Sequence, residues 1–576
     1  MMNTDPTIEV LENPTVALPL EQHILDEDSA ETVRRNLARA TTILAMGNIA
    51  SRVLGFAKEI LLSNYFGAGR LVDAFQIAIT VPQDLFDLAI NGHVNSALVP
   101  VLSEYATKED RHELWRLSSA LLGLVCLGTS SLVFVLIIFA PQIITLYRGA
   151  NPGTWAMDAA VRTLAPQFPT AISGGKGISA EAFALSVRLM RLTAPALIFQ
   201  SLFSVVSGLL YALKRFTWPA FAAALFNGTI VVTMVVLAPK IGIESAAIGF
   251  LLGAVLQLAL QFGGLRGERI RLQVRGTLSH PGVRRIGRLY LPVMLSLLLD
   301  IFIRIFSYNL ASQAGDGNIA YMNWATSLRE FPLGLVGTAI SIAILPTLAR
   351  QALRPEAMRE FQDTLGQGIR LALVLIIPAT VGMFALAGPL IGLVFERGAF
   401  TAVDTNITSI VLRLYLVGIP FAAVDLLLIF AFYARKDTLT PALVGVFSLV
   451  CYILIALLLR GTYGFLSLMI ADSLKHVIHM TTCMILLRRR LGGLGSQRLP
   501  ITLLKVALAT TAMALITYVL VQSARQLWPV EGLTQRAIIV LMPSAFGAAT
   551  YFILASLLQL NDFTWFIQSL RRKIRR

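Results

Sequence analysis

The sequence predicts an all-α polytopic membrane protein of about fourteen transmembrane helices. They form two six-helix lobes in parallel repeat plus two C-terminal helices, around a central cationic cavity. Three observations carry this expectation. Hydrophobic residues make up 56% of the 576-residue chain and charged residues only 14%, where a typical soluble domain carries about 25% charge. Long apolar runs, bounded by charges, Gly or Pro, follow one another along most of the chain. Several motifs also occur twice, in the same order.

A hydrocarbon core about 30 Å thick needs roughly 20 apolar residues at helical rise. Residues 1–36 precede any such run. They are acidic, lack a basic n-region followed by an apolar h-region, and read as a disordered cytoplasmic tail. Six spans follow at 37–66, 71–103, 117–146, 186–213, 217–239 and 244–264, making an N-lobe of 37–264. Residues 265–287 form a basic cytoplasmic connector. The C-lobe, 288–487, holds runs at 288–312, 318–349, 369–396, 406–433, 441–459 and 463–487. Two more spans, 501–523 and 536–559, fall within 488–560, before a basic tail at 561–576. Pro82, Pro195, Pro292, Pro332 and Pro420 lie inside spans, where neighbouring helices or water can satisfy the freed backbone groups.

Net charge is +15, but the excess sits on one side. With the N-terminus inside, cytoplasmic segments hold Lys and Arg over outer ones by roughly three to one. Both termini are therefore expected to be cytoplasmic, and the basic pI of 10.0 reflects topology and anionic lipid rather than nucleic acid. Cys126, Cys451 and Cys483 all fall in apolar runs with no CxxC, which implies neither disulfide nor metal.

The chain repeats itself. "YALKRFTWPA" (211–220) returns as "YARKDTLTPA" (433–442), and "ALVPVLSEYA" (97–106) as "AILPTLARQA" (343–352). "YRGA", ending span three, returns as "ERGA", ending span nine. Each pair falls after equivalent spans, so the repeats are parallel and related by an axis along the membrane normal. Two such lobes facing one another enclose a cavity, the geometry of alternating access.

Charges inside the spans point to that cavity, since each costs roughly 2.5–3.5 kcal/mol at the centre of a span. Span one places Asn48, Arg52, Gly55 and Glu59 on one helical face, with Lys58 beside it. Asp300 and Arg304 in span seven stand four apart, so an ion pair within the helix is available. Arg329 and Glu330 precede Pro332, a break that opens span eight toward the cavity. Asp472, Lys475, His476 and His479 crowd span twelve, and Asp425 lies in span ten. The two histidines lack a third ligand, and no metal is expected.

"SRVLGFAKEI" (51–60), "YFGAGRLVDAFQIA" (65–78), "EFPLGLVGTAISIAILPTLA" (330–349), "VFERGAFT" (394–401) and "FYARKDTLTPAL" (432–443) resemble successive signatures of the MurJ/MviN family. The resemblance runs from about residue 37 to 560. It implies a flippase moving lipid II, undecaprenyl-pyrophosphoryl-MurNAc-pentapeptide-GlcNAc, from the inner to the outer leaflet of the bacterial inner membrane. Arg and Lys suit a diphosphate, Arg especially through its bidentate fork. The substrate-binding residues so implied are Arg52, Lys58, Asp73, Arg329 and Glu330. Some family members also bind sodium through a span-seven acid, polar residues of span eleven, and span twelve. That makes Asp300, Arg304 and Asp472 candidates for ion coupling, by sodium, proton or membrane potential, with no other cofactor.

The chain departs from the family pattern in several places. Lys58 stands where the family carries Arg. Phe86 and Asp87 replace Arg residues, and Asn91, Gly92 and His93 replace an EGA turn. Ser327 takes the place of a cavity Arg, and Asp84 and Asp87 bring in acids. Arg52 alone is retained unchanged among the cationic cavity positions. The alternatives are a flippase for another polyprenyl-diphosphate-linked glycan, or a drug/cation antiporter of the same superfamily. The expected partners are the lipid substrate and the bilayer, with no nucleic acid, and the protein acts as a monomer. The loops are short and basic, without GxGxxG, GxxxxGK[ST] or a nucleophile elbow, and no soluble nucleotide domain follows. An enzyme and an ATP-driven pump are both excluded.

Overall fold

The computed structural model describes residues 19–89, 94–106, 112–148, 180–266, 281–493, 499–527 and 532–560, and every regular element among them is helical. Asn91, Gly92, His93, the long outer loop before span four, most of the connector and the tail 561–576 lie outside the described residues. In the first half, α1 (Pro19–Phe66), α2 (Arg70–Ala89), α3 (Val94–Ala106), α4 (His112–Ile138) and α5 (Ala140–Arg148) come first. α6 (Ala180–Thr193), α7 (Ala196–Ala212), α8 (Thr217–Ile241) and α9 (Glu244–Gly264) follow. The second half opens with α10 (Pro281–Gln313), α11 (Asn318–Pro332) and α12 (Ala339–Ala352). It continues with α13 (Met358–Ala385), α14 (Ala387–Val394), α15 (Ala402–Ala434), α16 (Leu439–Tyr463) and α17 (Ser467–Leu491). α18 (Leu499–Leu527) and α19 (Leu533–Leu557) pair with each other and pack on α13.

Nine segments among the described residues are long and apolar enough to cross a membrane, and one of them, Leu439–Leu491, takes in two predicted spans. Asn318–Pro332 with Val336–Ala352, bent by 42°, makes a tenth. The bend follows Pro332 through a π-helical stretch, Leu333–Thr338, as expected where a ring removes an i→i−4 bond. Predicted spans one, two and seven correspond to α1, α2 with α3, and α10. The expected total of fourteen rests, for these three, on sequence position. α1 also begins at Pro19, inside the segment expected to be a disordered tail. A helix already nucleated in the membrane propagates one bond per residue through a stretch rich in Glu, Ala and Arg.

Backbone conformation carries the repeat. Lys214 and Lys436, at matching positions of "YALK" and "YARK", are both left-handed at φ 59° and 61°. Gly242 and Gly464, equally spaced downstream, close α8 and α16 with φ 64° and 56°. Only chain paths that are copies of one another would place two left-handed lysines in register, since such a residue costs roughly 1–2 kcal/mol. At the second copy Asp437 anchors the turn, accepting from Thr440 N (3.0 Å) and Oγ1 (2.7 Å) and from Arg490. Desolvation opposes its charged form, yet these bonds win and hold its carboxyl at about 2.

Packing distinguishes the two ends of the bundle. One continuous buried cluster joins both lobes, from Leu62 and Phe75 through Trp324 to Phe395 and Ala471. It lies at the end bearing the α1–α2, α10–α11 and α14–α15 turns. At the other end the core divides into two clusters, one around Leu102 and Leu209 that takes in Ile286 of α10, and one around Phe361 and Phe432. The lobes are sealed at the first end and part toward the second. α10, the first helix of the second half, packs against α2, α3 and α5 of the first, and so ties the lobes together along one side.

Candidate functional site

α1 brings the first candidate residues between the lobes. Phe56 meets Phe331 and Phe395 edge-on at 5.9 and 6.1 Å. One turn earlier Arg52 is exposed, its guanidinium within 4 Å of where a Cβ on Gly334 of the π-helical turn would sit. Arg52 has no ion-pair or hydrogen-bond partner among the described residues. Glu59, the acid available to it in sequence, is already engaged. It pairs with Lys58 at 3.0 Å and accepts from Trp324 Nε1 at 3.2 Å.

Asp73, expected to contact substrate, is placed differently. Its side chain is buried, and its two oxygens accept from Gly317 N (2.6 Å) and Ala320 N (2.9 Å). It caps α11 across the lobe boundary, where an anion at a helix N-terminus satisfies orphan donors. Beside it Ala399 N donates to Asn64 O at 2.9 Å. The α1–α2 turn is thus held against two turns of the other lobe, which makes the seal.

Gly67 has φ +60°, and a Cβ there would lie 2.4 Å from the Ala399 carbonyl oxygen. Gly67→Ala is expected to weaken the seal by the left-handed strain of roughly 1–2 kcal/mol, with the clash added. In a chain carrying Ala68→Cys, labelling by a membrane-impermeant maleimide should rise with Gly67→Ala. Unchanged labelling would count against a seal at this turn.

Arg329 and Asp472, read from sequence as substrate and coupling residues respectively, belong to one network. Arg329 pairs with Asp472, 143 residues away, and with Glu330 at 3.6 Å, and lies over the Tyr415 ring at 4.5 Å. The second Asp472 oxygen is 2.7 Å from Lys475 Nζ, and His476 Nε2 is 3.9 Å from the first. Arg329 is thus largely enclosed within the C-lobe rather than presented to the cavity, while Glu330 stays half exposed. Both carboxylate oxygens of Asp472 are taken by the chain's own cations.

Arg304 does not turn to Asp300. Its Nε lies 3.2 Å from Asp84 of α2, whose other oxygen accepts from Tyr147 at 2.9 Å. Asp300 is exposed, and with Asp87 lies within electrostatic range of Asp84. Asn309 donates to Leu146 O at 2.9 Å nearby. This link between the lobes was not anticipated. Asp84 and the "YRGA" tyrosine were each visible, but nothing in one sequence pairs them.

The described residues do not confirm the expected cationic cavity. Lys58, Arg304, Arg329 and Lys475 each face a carboxylate within 4 Å. Arg52 alone of these five keeps its charge uncompensated among the described residues. Among the described residues the lobes hold a set of paired charges, with the Arg52 guanidinium beside the bent helix lacking a partner. In a low-dielectric space such a group is a ready anchor for a bidentate anion.

Comparison with known proteins agrees with this architecture. A family profile described as lipid II flippase MurJ matches residues 62–537. A lipid II flippase MurJ of Burkholderia cenocepacia is 28% identical over 417 residues, 71% of this chain and 76% of that protein. A probable lipid II flippase MurJ of Vibrio cholerae is 28% identical over 535 residues, 92% of this chain and 97% of that one. Among solved structures, a lipid II flippase MurJ in an inward closed conformation superposes with a TM-score of 0.70 at 23% identity. It covers 90% of this chain and 99% of its own. An inward-facing multidrug resistance MATE family transporter of the MOP superfamily reaches 0.62 at 15%, covering 79% and 99%. Both solved structures speak to fold alone.

Proposed function

This chain belongs to the lipid II flippase MurJ family, and on that premise we propose that it carries lipid II across the bacterial inner membrane by alternating access. The family is one of transporters, not enzymes. The observation that carries the mechanism is Arg52, a guanidinium without a partner among the described residues, between lobes that meet at one end and part at the other. The substrate's diphosphate docks on the Arg52 fork. Its prenyl tail stays in lipid while the headgroup crosses, so no long apolar chain has to pass through the protein.

With both termini cytoplasmic, the parted end faces the cytoplasm and receives substrate from the inner leaflet. Release outside requires the seal to exchange, and its contacts suit that. The Asp73 cap is two charge-assisted hydrogen bonds, of the order of 1.5–3 kcal/mol each. A ligand that binds the other state better by a comparable amount shifts the population. The chain acts as a monomer, and the lipid substrate is its partner.

Complementation tests the proposal. Expression in a bacterium depleted of its own lipid II flippase should restore growth and normal cell shape. Failure with full membrane expression would move the substrate to another polyprenyl-diphosphate glycan.

A further inference from the structure

We propose that Asp425, His479 and Cys483 form a binding site for a thiophilic divalent cation, for which Zn2+ is the test case, and that the ion staples α15 to α17. His479 and Cys483 stand four apart on one face of α17, and Asp425 faces them from α15. Asp425 Oδ1 is 2.7 Å and Cys483 Sγ 3.8 Å from the same atom, His479 Nδ1, and all three donor atoms fall within 4.8 Å of one another. Asp425 and Cys483 are buried, and His479 is nearly so. The ring's other nitrogen points toward Gly445, 3.8 Å from where its Cβ would sit, so Nδ1 is the nitrogen offered.

Two partners converge on one ring nitrogen that can carry one proton, so hydrogen bonding satisfies the group incompletely. A metal ion satisfies all three donors at once. Tetrahedral Zn2+ at about 2.0–2.3 Å from each ligand separates them by roughly 3.3–3.6 Å. Reaching that spacing from the present distances takes side-chain shifts below about 1 Å. On binding, Cys483 releases its proton to solvent and His479 binds as the neutral Nε2–H tautomer, its Nδ1 proton moving to Nε2, so that the carboxylate, thiolate and neutral imidazole balance the two charges of the ion. A neutral assembly is the form least penalised at a buried position. The mixed O, N and S donors select Zn2+ over Mg2+ or Ca2+. Lys475, within electrostatic range of Asp425, is a cation that weakens the site; its own ion pair with Asp472 holds it 2.7 Å from that carboxylate.

The test uses untagged full-length protein in detergent. After zinc loading and desalting, elemental analysis should find about one Zn2+ per chain. Titration with Co2+ should give visible d–d bands and a near-ultraviolet thiolate charge-transfer band. Cys483→Ser should abolish the charge-transfer band, and Asp425→Asn should lower Co2+ affinity by roughly a hundredfold, since even supporting partners of metal ligands are worth 10–100-fold. His476→Gln, on the same helix but outside the trio, should leave both readouts unchanged. Wild type retaining no zinc, or a charge-transfer band that survives Cys483→Ser, would overturn the site without touching the transport proposal. So would equal loss with His476→Gln.

Discussion

Arg52→Ala is expected to reduce lipid II transport by roughly a hundredfold or more while leaving the melting temperature of the detergent-purified protein unchanged. The transport loss follows from removing two charge-assisted hydrogen bonds to a phosphate, each of the order of 1.5–3 kcal/mol. The unchanged stability follows from geometry. Arg52 has no counter-ion among the described residues, and Glu59 is held by Lys58 and Trp324, so the truncation orphans no buried acid. Arg52→Lys should still lose about tenfold, because an ammonium keeps the charge but not the fork. Membrane vesicles assayed for translocation, alongside thermal melts of the same preparations, separate the two effects. A variant that lost stability and transport together would make Arg52 a packing residue.

Asp472→Ala should do the reverse. It leaves Arg329 and Lys475 enclosed in the C-lobe without the carboxylate both now share. Removing one partner of a buried pair costs about 3–5 kcal/mol. The melting temperature should therefore fall sharply, and transport with it. Adding Arg329→Gln to Asp472→Ala should recover part of the loss, because charges in one network do not contribute additively. If the double variant were no more stable than Asp472→Ala, Arg329 and Asp472 would not be partners.

The two predictions differ although both positions looked alike in sequence. Arg52, Arg329 and Asp472 are all charges in apolar runs, and the cost of placing them there marks all three as cavity-facing or paired. Which of the two applies depends on contacts across 143 residues in one case and on their absence in the other. Periodicity and spacing carry no such information. Asp73 shows the same limit: its signature marked it, but its role as the cap of a helix in the opposite lobe depends on Gly317 and Ala320. What was legible is what short-range chemistry encodes. Apolar run lengths placed the helices, Pro332 placed the break in span eight, and the paired "YALK" and "YARK" segments placed two copies of one chain path. The Asp84–Arg304 link escaped because Asp300, four residues from Arg304, offered a nearer partner by sequence than the one the fold supplies.

The central claim is that the guanidinium of Arg52 anchors the diphosphate of lipid II during its passage between lobes. Reconstitution tests it most directly: purified protein in vesicles carrying fluorescent lipid II on one leaflet, with appearance on the other followed by an impermeant quencher. The account predicts translocation by wild type well above protein-free vesicles, and translocation near the protein-free rate for Arg52→Ala at equal incorporation. Wild-type rates from Arg52→Ala would contradict it.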